Sequence, residues 1–435
     1  MPTSAAEADA SLLAKFRDLI GVEEIVEVGC RLGVIQRQRK IDLVKLVEAT
    51  VLSLSPVRGT QTTALGHYLQ LTGVTLAPSS FYERFTPAFA ELLKGIALRS
   101  VQAVRDLSPD DPQLNSYGVL FEHFKDVRLT DSTSHFLKRF AKNWARSTSK
   151  VRPAAVKLHA TISLKDGLPV STEITEQRLH DNKAFPDEVL APGTLHLFDL
   201  GYIDVLRFIE ATLAGAYFLT RLKESHNPVI VRVHQGKGAR IACRDVRLDD
   251  ALRDGVLQAE RGYIDVDVKL EAKGKECIAR VVGEEDEEGN WHWYLTNVSR
   301  DWLDAHDIAE AYRLRWLVEL FFKQTKSGLG LDAILAWREE SVSALVYAKV
   351  IALSLVRLLE FTVEKKYGPN AVAQLALVLV MTRLSSQLVT ALLIDEGITI
   401  EEYERRIMLH AAIVARSRNQ RRERTKRKRH EGLGK

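Results

Sequence analysis

Three acidic residues carry the chemistry that can be read from this chain. Asp131 closes the apolar run "VRLTD", Asp199 closes "TLHLFD", and Glu319 stands alone in "YRLRWLVELFFKQTK", residues 312–326. Alternate residues of a strand share a face, which groups Val127 and Leu129 with Asp131, and Leu195 and Leu197 with Asp199. A carboxylate at the end of an apolar row is costly to desolvate without a cation or good donors, so a metal ion is a natural partner. A single strand-end aspartate more often caps the turn that follows it. Two of them on adjacent parallel strands would repel, and a divalent ion is what keeps both ionised.

Glu319 gains its interest from that pair. At about 100° per residue, Tyr312, Arg315, Glu319 and Lys326 fall on one stripe of a helix, with Leu314, Leu317, Val318 and Phe321 on the opposite, core-facing side. Alone, such a stripe is an ordinary exposed face whose Arg–Glu and Glu–Lys neighbours are each worth a few tenths of a kcal/mol. With two strand-end aspartates in reach, Glu319 becomes a candidate third ligand. Hard oxygen donors favour Mg²⁺ or Mn²⁺ over zinc. Two such ions about 3.5–4 Å apart can activate an attacking oxygen and stabilise a leaving one in a phosphoryl displacement. Tyr312, Arg315 and Lys326 would then meet phosphates beside the ions.

The elements that must position these residues follow from periodicity. Up to about Arg105 the chain repeats apolar residues at three and four, as in "IDLVKLVEATVLSL" and "AFAELLKGIALRSVQAV", which predicts helices. Within that region "TTALGHYLQLTGVTLAPSSFYERF" reads as two helices around a turn with Gly73 and Pro78, the second capped by Ser79 or Ser80. This is a helix-turn-helix candidate that would present Ser80, Tyr82 and Arg84 to a DNA groove, though many all-helical domains share the pattern. From Val127 the reading changes to strands: "VRLTD" ending at Asp131, a hairpin "KLHATISL"/"KDG"/"LPVSTEITE", a short helix around "NKAFPDEVL", "TLHLFD", a helix from Asp204, and "AYFLTRL". Residues 225–290 read as a β-rich insertion, after which "WHWYLTNVS" returns to apolar strand and a helical segment begins near Ala305.

Composition bounds the rest. The 435 residues exceed one small core, and 46% hydrophobic with 27% charged residues is a globular balance. The first residues show no basic segment followed by an apolar core, so no secretory signal is expected. The apolar stretches 342–361 and 371–393 are interrupted by Lys349, Arg357 and Arg383, so they read as buried helices rather than membrane spans. Cys30, Cys243 and Cys277 lack disulfide or zinc spacing, which fits a reducing cytoplasm. Net charge is +4, but residues 416–435 hold ten Lys or Arg against two Glu, leaving −4 for residues 1–415. A tail of that kind is an arm for polyanions, nucleic acid first, with plain solubilisation as the alternative. "HQGKGAR" lacks phosphate-loop spacing, "EEDEEG" reads as a solvated hairpin loop, and no H-E-x-x-H pair occurs among the twelve histidines.

The order Asp131, Asp199, Glu319, with Y-x2-R-x3-E-x6-K around the last acid, resembles the catalytic signature of the DDE transposases of the insertion sequence four family. The similarity runs from Val127 to Leu331 and includes "DST" after the first strand, "DLGY" after the second and "YLTN" before the Glu319 segment; Leu200 departs from the Arg frequent at its place. The resemblance implies an α/β, RNase H-like catalytic domain interrupted by a β-strand insertion between the second Asp and the Glu. It implies an N-terminal domain that reads terminal inverted repeats, action as a homodimer in a DNA synapse, and Mg²⁺-dependent cleavage followed by strand transfer into target DNA. It further implies that a Trp of the insertion can hold a displaced base. Trp291 and Trp293 are candidates, with core packing the expected role of both. The expected layout is a helical DNA-binding domain over 1–120, a catalytic domain over 121–224 and 291–340, the insertion over 225–290, a helical dimerisation region over 341–415 and the basic tail over 416–435. A cytoplasmic, nucleoid-associated location fits. The competing readings are a nuclease on the same fold and a transposase-derived DNA-binding protein without catalysis, against which the three intact acids argue.

Overall fold

A computed structural model describes residues 14–34, 41–53, 61–72, 74, 76–107, 118–184, 190–223, 225–238, 243–329, 334, 336–367 and 388. The basic tail, most of the expected 341–415 region and Leu331 lie outside those residues. The chain divides into two compact units, Met1–Val104 with Thr325–Lys435, and Arg105–Gln324.

The first unit is helical in its described parts. Helices span Val22–Arg31, Leu43–Leu52, Gln61–Thr72, Pro78–Tyr82, Pro87–Leu107 and Glu339–Tyr367, of which Pro87–Leu107 runs past the unit's limit at Val104. Leu43–Leu52 starts where the Asp42 carboxylate accepts the Lys45 N–H, satisfying a donor that the first turn leaves free. Glu339–Leu358 is long and apolar enough to cross a membrane, yet 78% of that window is buried, in part against Leu43–Leu52. Ser354 and Ser100 meet by their hydroxyls, as a core helix permits. The segment after Gly73 differs from the sequence reading: its helix is only five residues long, begins with Pro78 after Ala77, and has no side-chain cap, so neither Ser79 nor Ser80 serves. Proline at the first position removes one of the N–H groups that a helix start leaves without a partner, and its fixed φ suits the first turn. Phe81 is buried against Tyr68 and Phe85, and the Tyr82 hydroxyl is paired with Thr62.

The second unit is mixed α/β, built on a nine-stranded sheet. Its strands are β1 (Asp126–Phe136), β2 (Ala155–Ser163), β3 (Pro169–Glu176), β4 (Thr194–Phe198), β5 (Tyr217–Arg221), β6 (Val229–Gln235), β9 (Tyr263–Ala272), β10 (Lys275–Glu285) and β11 (Trp291–Thr296). The short pair β7 (Lys237–Gly238) and β8 (Leu257–Gln258) lies apart. The order across the sheet is β3-β2-β1-β4-β5-β11-β10-β9-β6. β4 and β5 run parallel to β1, and the other contacts are antiparallel. Strands β6, β9 and β10, from the segment read as an insertion, prolong the same sheet through β11. β4 is buried along its whole length, as expected of a central parallel strand. The helix Val205–Leu213, capped by the Asp204 carboxylate, packs on the sheet, with Phe208 stacked on Phe218 at a centroid distance of 4.4 Å.

One strand exceeds its sequence reading. β1 does not end at Asp131; it runs on to Phe136, because Ser132–Phe136 keep pairing with β2 from His159 to Ala155. Beyond Thr130, however, β1 has lost its other neighbour, since β4 ends at Phe198. The β1–β2–β3 side of the sheet therefore projects past the end of β4.

Candidate active site

The parallel ladder between β1 and β4 closes on the pair Thr130 and Phe198, so the next position on each chain is Asp131 and Asp199. Register alone brings these two carboxylates to one rung at the edge of the sheet. Asp199 occupies the start of a short 3-10 turn, Leu200–Tyr202, yet its side chain does not cap it. The ordinary structural role of a strand-end aspartate is thus not taken up here. The half-buried Leu200 opens that same turn.

Glu319 arrives from a helix that is not continuous. Ala305–Arg313 and Trp316–Leu329 are separate helices, joined by a tight turn at Leu314–Arg315 in which the Arg315 N–H bonds to Tyr312 O and the Val318 N–H to Arg315 O. A wheel drawn from Tyr312 to Lys326 as one helix does not hold across this turn. Tyr312 is buried at 8% exposure and donates its hydroxyl to Phe198 O, the residue before Asp199, at 3.3 Å. It braces the strand end from beneath and does not face solvent beside Glu319. Val318 and Phe322 are the buried anchors of the second helix, whereas Leu317 and Phe321 are half-buried. Lys326 lies two turns beyond Glu319 on that helix and is half-buried.

Arg315 joins the acids. Its guanidinium donates one hydrogen bond to Glu319 Oε1 at 2.6 Å and another to Asp131 Oδ2 at 3.3 Å. Asp131 also accepts the Ser132 N–H at 2.7 Å. Burial pushes the Asp131 carboxyl up to about 6, the neighbouring charges of Asp199 and Glu319 push the same way, and Ser132 and Arg315 oppose them. Burial works against the charge on Arg315, but its bond to Glu319 and the nearby acids hold it protonated more firmly than usual. Among the described residues no three His, Cys, Asp or Glu side chains are gathered closely enough to hold an ion. The donor set has the chemistry a divalent cation requires: mutually repelling carboxylates, one of them driven toward neutrality by burial. For all three acids to become ligands, the Arg315 bridge has to open.

Behind Asp131 lies a cluster that the sequence reading did not find as a group. Asp181 accepts hydrogen bonds from Ser132 Oγ at 3.1 Å and from Lys157 Nζ at 2.9 Å, and His159 bonds the Tyr202 hydroxyl at 2.7 Å and Thr175 at 2.9 Å. Gly201 lets the Asp181 carboxylate approach closely, since a Cβ on it would stand 2.7 Å from an Asp181 oxygen. Ser132 belongs to "DST", and Gly201 and Tyr202 to "DLGY", so the two motifs converge on Asp181. The spacing of polar residues gave no sign of this; only the folded strands bring residue 181 beneath residue 132. Asn297 of "YLTN" accepts the Phe218 N–H and donates to Ala216 O and Thr212 Oγ1, which ties off the end of β5.

The remaining candidates sit elsewhere. Arg84 is half-buried just after the helix Pro78–Tyr82, in the helical unit. Trp291 and Trp293 stack on each other at 5.2 Å, and Trp293 covers Gly283, where a Cβ would lie 2.5 Å from its ring. Both pack on the hydrophobic cluster of the inserted strands.

Residues 122–355, more than half of the chain, match the family described as the transposase DDE domain. The chain belongs to the DDE transposases. It is 22% identical over 321 residues to the transposase of insertion sequence element IS231F from Bacillus thuringiensis subsp. israelensis, covering 66% of either protein. It is 26% identical over 235 residues to the putative transposase y4zB of Sinorhizobium fredii, covering 53% of this chain and 60% of that one. A shorter stretch of 78 residues is 41% identical to the putative transposase InsL for insertion sequence element IS186A of Escherichia coli K12, covering 18% of this chain and 21% of that one. The matches thus span just under two thirds of the length of the first two curated relatives. A piggyBac transposase synaptic complex with hairpin DNA superposes with a TM-score of 0.48 at 10% identity, over 91% of this DDE transposase and 84% of that chain.

Proposed function

We propose that this DDE transposase is encoded by an insertion sequence, cleaves DNA strands at the element's terminal inverted repeats and joins the freed 3′ ends to target DNA. The observation that carries the proposal is the shared rung of Asp131 and Asp199, with Arg315 bridging Asp131 to Glu319. The order β3-β2-β1-β4-β5, with β4 and β5 parallel to β1, supports an RNase H-like core. In this reading Asp131, Asp199 and Glu319 hold Mg²⁺, for which Mn²⁺ can substitute. The ions supply activation of the attacking oxygen and charge stabilisation at the leaving one. The chain's own residues do the positioning. Tyr312 fixes the backbone before Asp199, Asp181 holds the β1 strand next to Asp131 through Ser132, and Arg315 and Lys326 meet phosphates of the transposon end. Arg315 is well suited to exchange one anion for another, since its planar fork binds carboxylate and phosphate alike.

Arg84 and the helical unit are assigned to recognition of the inverted repeats, the basic tail to phosphates without regard to sequence, and the assembly to a homodimer on DNA in the cytoplasm. The deciding experiment is strand cleavage and strand transfer on DNA carrying the element's ends, with Asp131→Asn, Asp199→Asn and Glu319→Gln. Each amide keeps shape and removes charge, so each should abolish Mg²⁺-dependent cleavage while binding of end DNA stays within about twofold. Near-normal cleavage by any one variant removes that residue from the site. Cleavage without joining favours the nuclease reading.

A further inference from the structure

The projecting side of the sheet ends in a tip, residues 136–154, that is folded inside out in one respect: its alanines are buried and its phenylalanines are not. Ala141, Ala145 and Ala154 are fully buried, while Phe140 is 64% exposed and Phe136, the last residue of β1, is 39% exposed. The tip is nevertheless held in place. Leu137 N–H bonds to Ala154 O, Ala155 N–H to Ala145 O and Ser147 N–H to Pro153 O, and the Gln177 side chain accepts the Ser147 hydroxyl and the Thr148 N–H. A fixed segment that buries Leu137, Ala141, Ala145 and Ser147 while turning aromatic rings outward differs from the usual single exposed apolar residue.

Charge sharpens the point. Residues 137–153 contain six Lys or Arg and no acid. Arg146 is committed to Glu176 through two hydrogen bonds. The others, Lys138, Arg139, Lys142, Lys150 and Arg152, are exposed, and among the described residues none forms an ion pair with a carboxylate. Arg152 and Arg139 instead lie over the rings of Phe136 and Phe140, at 5.0 and 5.6 Å from the ring centroids. Guanidinium groups over exposed phenyl rings, among cations without a carboxylate partner, form a surface on which bases stack while phosphates are neutralised. Intact duplex hides the faces of its bases, so exposed rings have little to bind there; unpaired strand presents them. From Asp131 to Phe136 the distance along β1 is five residues, about 17 Å at roughly 3.4 Å per residue. The two lie on opposite faces of a strand whose β4 side is open beyond Thr130, so a strand a few nucleotides long passing that open side joins the tip to the acidic rung.

We infer that the tip of the β1–β2 projection, with Phe136 and Phe140 as its stacking residues, binds unpaired DNA next to the candidate active site. The choice of DNA as the nucleic acid rests on the transposase reading above; the stacking and charge argument does not. The strand so held is one that is single-stranded where it leaves the acids, such as an end frayed or released by cleavage.

The test uses the full chain in EDTA, with binding of a labelled oligo-dT of about 20 nucleotides and of a random duplex of about equal length followed by fluorescence anisotropy. Phe136→Ala and Phe140→Ala should each weaken oligo-dT binding by about tenfold, leave duplex binding within about twofold and leave the salt slope unchanged. Phe140→Trp should restore it. Lys138→Gln with Lys142→Gln and Lys150→Gln should instead lower the slope of log affinity against log salt by about 0.7 for each cation that meets a phosphate. Alanine variants that bind oligo-dT as tightly as the parent, or that lose duplex binding equally, overturn the inference. Because binding is read without divalent ions, it is independent of cleavage. A failed stacking test with cleavage intact sinks this inference alone, and stacking with no Asp131-dependent cleavage sinks the transposase reading alone.

Discussion

Asp131 and Asp199 stand side by side because each is the first residue past the last paired rung of two parallel strands, Thr130 and Phe198. No loop needs to be folded correctly for the two charges to meet. The geometry is inherited from the ladder, whose residues are buried throughout β4. What the ladder does not determine is how the third acid is approached, and that falls to Arg315.

The burial of a carboxylate at this rung has a thermodynamic signature. The folded Asp131 carboxyl is raised to about 6 from 3.8, chiefly by burial, so between those values the native state binds more protons than the unfolded one. Stability should therefore fall as pH rises from about 4 to 6, and the whole penalty should be present at neutral pH. Asp131→Asn removes it, and in EDTA should be more stable than the parent at pH 7.5 by on the order of 2 kcal/mol, with no advantage at pH 4. Thermal or urea unfolding at the two pH values measures this. Equal stability at both would mean that Asp131 is not under electrostatic strain.

Arg315 competes with any cation for Asp131 and Glu319. Arg315→Ala should tighten binding of Mn²⁺ to the DNA-free protein by about tenfold, a gain of about 1.4 kcal/mol, while lowering single-turnover cleavage by at least as much. The two effects run in opposite directions, which a simple loss of fold cannot produce. Isothermal titration with Mn²⁺ gives the first and a cleavage time course the second. Unchanged metal affinity would show that the bridge is incidental.

His159 gives a separate pH dependence. Burial lowers it to about 4 from 6.5, so the folded state holds it neutral while the unfolded state takes up a proton below about 6.5. Its contribution is fully present above 6.5 and is lost as pH falls toward 4. From pH 7.5 to 5 the loss should be on the order of 2 kcal/mol. His159→Gln, which can still bond Tyr202 and Thr175, should flatten that part of the urea-stability profile. A variant with the parent's full acid sensitivity would assign it to other groups.

Asn297 ties three backbone or side-chain groups at the end of β5. Asn297→Ala leaves the Phe218 N–H without that acceptor and should cost about 2–3 kcal/mol of unfolding free energy. Asn297→Asp retains the acceptor but loses both donors and should fall between the two. Chemical denaturation compares them. An alanine variant as stable as the parent would leave this part of the "YLTN" motif unexplained by packing.

The strands around the first two acids were legible because their signal is local. "TLHLFD" ends in structure where its apolar run ends, and the hairpin after "KLHATISL" turns at Gly167, whose φ of 65° suits glycine. β1 was read too short, because the serine and threonine after Asp131 carry little apolar signal and their strand conformation comes from pairing with β2. The continuous wheel failed at Leu314–Arg315 for a related reason. Every residue there is an acceptable helix former, and the break depends on where Tyr312 and Val318 find their burial. Neither Asp181 nor the outward phenylalanines could be recognised from spacing, since what defines them is which neighbours the fold supplies.

The two outermost strands of the sheet differ from its interior. β6 pairs with β9 through two register shifts, between Ile230 and Arg232 and between Val233 and Gln235. β3 begins at Pro169 and its register is also interrupted opposite Thr161 and Ile162. Each irregularity spoils the even row of donors and acceptors that a foreign strand would need. The sheet formed by the described strands is thereby a poor template for edge-to-edge aggregation. Two copies lying close together on DNA, as the proposed function requires, would meet at edges too uneven to zip into one continuous sheet.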